Sequence, residues 1–117
     1  MNMNRPDVSD EDIGMRAFHL RKEKAAERAI ERLRFGLRDA WNLFSTTDGA
    51  DLAWVMGELW AYEKRADWDS LRFSKLTPED VRTIVTYAHQ LRTAPVNTIE
   101  TLELIGDIIR MRDERTA

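Results

Sequence analysis

The chain reads as an all-α protein: a compact bundle of four main helices, with an additional helix or arm at its N-terminus. Three observations carry this reading. Apolar residues recur at three- and four-residue steps along most of the chain and nowhere sustain the alternation of a half-buried strand. Only five glycines and three prolines punctuate the 117 residues, so the elements are few and long. The breaks between periodic stretches are short, which suits antiparallel helices packed as neighbours.

The longest periodic stretch predicts a helix over 22–44. Ala26, Ile30, Leu33, Leu37, Trp41 and Phe44 fall on one of its faces. Upstream the phase fails, because Ile13 and Leu20 project about 120° from that stripe when the helix is continued at 100° per residue. The segment is therefore expected to be a separate short helix, a docked or frayed arm, or a reach toward another chain. Ser45-Thr46-Thr47-Asp48-Gly49 has turn composition. A second helix over 50–66 then turns Leu52, Val55, Met56, Leu59, Tyr62 and Ala66 inward. Residues 67–76 lack a period but carry Trp68, Leu71, Phe73 and Leu76, so a loop with a short helical turn packed on the core is expected. Thr77-Pro78-Glu79-Asp80 is a helix start, with a Thr cap, Pro in the first turn, and acids at the positive end of the helix dipole. The third helix spans 77–92 and buries Val81, Ile84, Val85, Ala88 and Leu91. Pro95 ends it, and a fourth helix covers 97–112.

Composition narrows the function classes. With 43% hydrophobic and 33% charged residues the chain folds rather than staying disordered. It has no cysteine, so disulfides, thiolate metal sites and cysteine nucleophiles are excluded. A net charge of −3 gives no general attraction for nucleic acid. No apolar run approaches the roughly 18 residues of a membrane span. Residues 1–12 read as a polar, flexible tail rather than a signal peptide, ahead of one helical domain over 13–114. The expected setting is cytoplasmic, with no membrane partner.

Charge is distributed unevenly. Gly14 to Arg38 holds eight basic residues against three acids in an otherwise acidic chain. Lys24, Arg28 and Arg32 form an i, i+4, i+8 row with Arg21 beside it and Phe35 at its end, opposite the apolar stripe. Such a row can grip an acidic protein surface or phosphates, the phenyl ring adding apolar contact or stacking. Glu23, Glu27 and Glu31 lie alongside, so the same row can equally be a solvated face of paired charges. Trp54 projects from the polar side of the second helix, and an exposed indole is a favoured interface anchor. The partner-binding candidates are thus Arg21, Lys24, Arg28, Arg32, Phe35 and Trp54.

The fourth helix is apolar around more than half its circumference: Ile99, Leu102, Leu104, Ile105, Ile108, Ile109 and Met111. It is either central to the monomer or part of a homodimer interface, for which Leu104, Ile105, Ile108 and Met111 are the candidates. Its polar strip, Glu100, Glu103 and Asp107, is the one place where carboxylates could gather around Mg²⁺. His19 and His89 have no histidine at ligand spacing, and no phosphate loop, serine elbow or catalytic triad spacing occurs. No catalytic residue, metal site or cofactor is therefore assigned.

The run Leu104-Ile105-Gly106-Asp107-Ile108 resembles all-α nucleotide pyrophosphohydrolases of the MazG type, over that short stretch alone. The resemblance implies Mg²⁺ held by acidic pairs on neighbouring helices around a nucleoside triphosphate. Here Glu103 and Asp107 stand four apart where that family's pattern has three, and Glu58 and Glu63 stand five apart. A helix-turn-helix is disfavoured because the helix over 97–112 is acidic and apolar where a recognition helix is basic.

The function expected from the sequence is therefore non-enzymatic: a small interaction or regulatory protein that binds another macromolecule through a helical surface. A protein partner with an acidic surface is preferred. Nucleic acid at the Arg21–Phe35 face and an Mg-dependent nucleotide pyrophosphohydrolase are the alternatives.

Overall fold

The computed structural model describes residues 10–114, with side chains from Ile13 onward. Four α-helices follow one another: α1 (Asp10–Leu37), α2 (Thr46–Glu63), α3 (Pro78–Thr93) and α4 (Thr98–Glu114). A 3-10 turn at Arg38–Leu43 lies between α1 and α2, two more at Trp68–Ser70 and Phe73–Lys75 lie between α2 and α3, and no strand occurs among the described residues. The protein is all-α, as its periodicity requires. The expected flexible tail over 1–12 lies outside the described residues, save that Asp10, Glu11 and Asp12 open α1.

Each boundary has a local cause. Ser45 and Asp48 form a capping box, in which the Asp48 N–H donates to Ser45 Oγ and the Ser45 N–H donates to the Asp48 carboxylate, both at 3.0 Å. That box starts α2 at Thr46, so residues read as a turn from their composition are instead the first helical turn. Thr77 and Asp80 make the same arrangement ahead of Pro78, as the sequence predicts. α1 ends at Leu37 because Arg38 takes a left-handed φ of 54°. The helix expected over 22–44 is therefore broken, although Trp41 and Phe44 still pack on the core beyond the break.

α1 is also longer at its other end. Among the described residues no separate N-terminal helix is set off from α1, because the helix runs unbroken from Asp10. At about 1.5 Å per residue α1 is about 42 Å long and α2 about 27 Å. With Phe18 beside Trp60 near the end of α2, the first turns of α1 extend past their partner. The out-of-phase residues need no break: Ile13 sits in the overhanging turns, and Leu20, between Phe18 and Lys22, faces away from α2. Both are more than half exposed.

The core joins all four helices and the 67–76 segment. Ala25, Ala29 and Leu33 of α1 meet Leu52, Val55 and Met56 of α2, Val81 and Ile84 of α3, and Ile105 and Ile109 of α4. The aperiodic segment behaves as expected, with Trp68, Leu71, Phe73 and Leu76 all buried. Trp68 donates its indole N–H to the Ala25 carbonyl at 3.2 Å. Phe73–Lys75 lies so close to α1 that a Cβ on Gly36 would stand 2.5 Å from the Ser74 backbone. Two residues expected inside are outside: Tyr62 is exposed and donates its hydroxyl to Glu103 at 2.8 Å, and Ala66 lies beyond the end of α2.

α4 is a peripheral helix rather than a central one. Leu102, Ile105 and Ile109 face the core, while Ile99, Leu104 and Met111 are exposed. Arg112 ties it to the start of α3 through two hydrogen bonds to the Asp80 carboxylate, at 2.6 and 3.1 Å. Burial pushes the Asp80 carboxyl upward, but Arg112 and the Thr77 cap together outweigh it and hold the group below its ordinary range. Among the described residues no helix is long and apolar enough to cross a membrane.

Candidate functional site

α1 divides its charges between two flanks, and the two meet different surroundings. The basic flank faces the 67–76 segment. Arg28 Nε donates to Asp69 at 2.6 Å, and Arg32 Nη1 lies 3.8 Å from the same carboxylate. That Arg32 nitrogen is buried and has no hydrogen-bond partner among the described residues. These two cations are thus drawn toward the protein's own acidic cover. Arg21 and Lys24 remain exposed on the outer face, and Phe35 is exposed at 76%. The six residues expected to form one partner-binding surface therefore do not converge, since Trp54 sits on the opposite flank.

On that opposite flank α1 and α2 leave a groove of about 850 Å³, open along its length. Its floor is Ala26, Ile30, Ala53, Gly57 and the half-buried Trp54. The floor exists because small residues stand where the helices meet: Gly57 brings α2 against Lys22 and Ala26 of α1. Glu23, Glu27 and Glu31 form one bank at four-residue steps. All three are exposed and have no ion-pair partner among the described residues. The cations that line the groove are engaged elsewhere: Lys22 Nζ bonds Glu58 at 2.6 Å, and Arg34 lies over the Trp41 ring at 5.7 Å. Arg92 stands 5.7 Å from the centre of the Trp54 ring and helps fix the indole.

At the outer edge of Trp54 a second constellation begins, one that sequence reasoning missed. Asp51 is the buried charged residue of the core, 3% exposed. Arg92 Nη1 lies 2.9 Å from one of its oxygens, and His89 Nδ1 3.3 Å from the other. The signal was available, because Asp51 occupies an inward position of α2 one turn before Val55. A carboxylate placed there demands a cation. A carboxylate that orients an imidazole recurs in general-base catalysis. Here Asp51 is shared with Arg92, and no hydroxyl is hydrogen-bonded to the His89 ring among the described residues. The pair reads as a satisfied buried charge.

Two of the three carboxylates in the acidic strip of α4 are likewise engaged. Glu103 accepts from Tyr62, and Asp107 accepts from Arg110 at 2.7 Å. Arg110 also donates to Glu63 at 2.7 Å, and the Glu63 carboxylate packs over Gly106. Among the described residues no three acidic or histidine side chains gather as metal ligands. Of the self-association candidates, Ile105 is fully buried in the monomer's own core. The exposed ridge on α4 is therefore Leu104 and Met111 with the half-buried Ile108 between them.

Compared with protein-family models, with curated proteins and with solved structures, the chain finds no match.

Proposed function

We propose that this chain is a small non-enzymatic binding protein of the cytoplasm, which acts by holding a helix of another polypeptide in the α1–α2 groove. One observation carries the reading: an apolar floor bounded by Trp54 and Ile30 lies open beside three carboxylates that form no ion pair among the described residues. Apolar surface left to solvent within a groove is the signature of a recognition site. Trp54, half-buried and braced by Arg92, is a rigid anchor of the kind that dominates interface energies. The bank of Glu23, Glu27 and Glu31 selects the charge of the occupant. It suits an amphipathic helix with an apolar face and lysines or arginines along one edge.

The direct test uses two synthetic helical peptides with the same leucine face, one flanked by lysines and one by glutamates. Binding is followed by NMR of the Trp54 indole N–H and the Gly57 amide. The lysine-flanked peptide is expected to shift both signals, to weaken with added salt, and to lose about 30-fold in affinity against Trp54→Ala. Equal binding of the two peptides, or shifts confined to other faces, would remove the proposal.

A further inference from the structure

The face of α1 that banks the groove continues past the end of α2 with opposite charge. Ile13, Arg16, Leu20, Glu23, Lys24, Glu27, Glu31 and Arg34 fall within an arc of about 100° on the helix wheel. All are exposed. Along this one arc the N-terminal half is apolar and basic, with Ile13, Arg16, Leu20 and Lys24. The C-terminal half is predominantly acidic, with Glu27 and Glu31 ahead of Arg34, which lies over the Trp41 ring, and Glu23 adjoins Lys24 at the midpoint. None of these charged residues has an ion-pair partner among the described residues.

A helix whose two halves carry opposite charge complements itself when reversed. Resting on the reading of the groove above, we propose that its occupant is the N-terminal half of α1 from a second copy of this chain, docked antiparallel and reciprocally. With the two-fold axis between Glu23 and Lys24, Lys24 of each copy comes beside the other's Glu23. Arg16 comes beside the other's Glu31, and Leu20 lies over the Ile30 and Trp54 floor. The arrangement is isologous and closes as a dimer, so each copy fills one groove and has its own filled. It gives Leu20, more than half exposed in the monomer, an apolar destination.

The alternative self-association surface is the Leu104–Ile108–Met111 ridge of α4. It has no comparable charge pattern and serves as a competing outcome.

Charge swapping across the full-length chain tests the pairing. Sedimentation equilibrium of the wild type is expected to show a dimer that weakens with salt. A triple variant Glu23→Lys/Glu27→Lys/Glu31→Lys makes the face uniformly basic, and Arg16→Glu/Lys24→Glu makes it predominantly acidic. Each alone is expected to raise the dimer dissociation constant by more than about tenfold. Their mixture is expected to restore a heterodimer. A wild type that stays monomeric overturns the inference, and so does a mixture that fails to associate. Dimerisation that survives both charge variants and is lost in Leu104→Lys/Met111→Lys assigns self-association to α4 and overturns it as well. A monomeric wild type that still binds the lysine-flanked peptide at Trp54 would leave the groove reading standing while removing this one.

Discussion

Along one flank of α1, Arg28 and Arg32 approach Asp69 and the helix is roofed by Trp68 and Phe73. Along the other, Glu23, Glu27 and Glu31 overlook an apolar floor with no cover from the described chain. The flanks differ little in charge density. What separates them is the 67–76 segment, which carries one well-placed carboxylate and two large aromatics to the basic side. A row of arginines on a sequence invites the idea of an external partner. Here the fold supplies much of that partner itself, and the acidic row is the one left facing outward.

The comparison breaks most visibly if the cover is removed. Phe73 is fully buried, and Phe73→Ala should lower stability by about 3–5 kcal/mol. Urea denaturation followed by circular dichroism measures this. A loss below about 1 kcal/mol would show that the 67–76 segment rests on the bundle without belonging to its core.

Two glycines sharpen the contrast. A methyl at Gly36, on the roofed flank, meets Ser74 backbone that cannot swing aside. Gly36→Ala should therefore cost about 1–3 kcal/mol. A methyl at Gly57, on the groove side, stands 3.2 Å from Lys22 Cγ, part of a flexible side chain. Gly57→Ala should be neutral or stabilise by up to about 1 kcal/mol from helix propensity. Thermal melts of the two variants decide it, and equal losses would mean that both flanks are equally tight.

The smallest effect lies where the cover runs into α3. Asp80 and Asp48 have carboxyls held below their unfolded values, Asp48 chiefly by the Ser45 N–H and Asp80 by Arg112 and Thr77 against the cost of burial. A depressed folded pKa contributes stability that is complete above the ordinary carboxylate range, about pH 4, and is lost as pH falls through the folded value. Asp80→Asn keeps an acceptor for the cap but loses the Arg112 ion pair. It should cost about 1 kcal/mol at pH 7 and flatten the fall in stability below about pH 4. An unchanged acid limb would show that the pair with Arg112 adds nothing.

Much of the fold was legible because periodicity reports which side of a helix is apolar. Val81, Ile84, Val85, Ala88 and Leu91 are all buried as read, and Thr77-Pro78 begins α3 as read. The errors have physical causes. Ser45-Thr-Thr-Asp is at once turn-like and a capping box, and only the hydrogen bonds distinguish the two. Arg38 ends α1 in a left-handed conformation that nothing in its side chain announces. The candidate site was less legible because periodicity assigns a face without naming its neighbour. Asp69 is 41 residues from Arg28, so nothing local in the sequence marks the pair. The sequence marks Trp54 as an interface anchor, but it presents the carboxylates across the groove only as solvated partners for the basic row.

The hydrogen bond from Trp68 to the Ala25 carbonyl spans 43 positions. That distance has a consequence for the order of assembly during translation. α1 and α2 leave the ribosome before the segment that will roof them, so for that interval the nascent hairpin presents apolar surface on both sides. With the hairpin formed, Trp68 follows the end of α2 by only five residues, so the closure that remains is short. The last roofing residue, Leu76, directly precedes the Thr77 cap of α3, so the step that shuts one side of the hairpin also sets the next helix going.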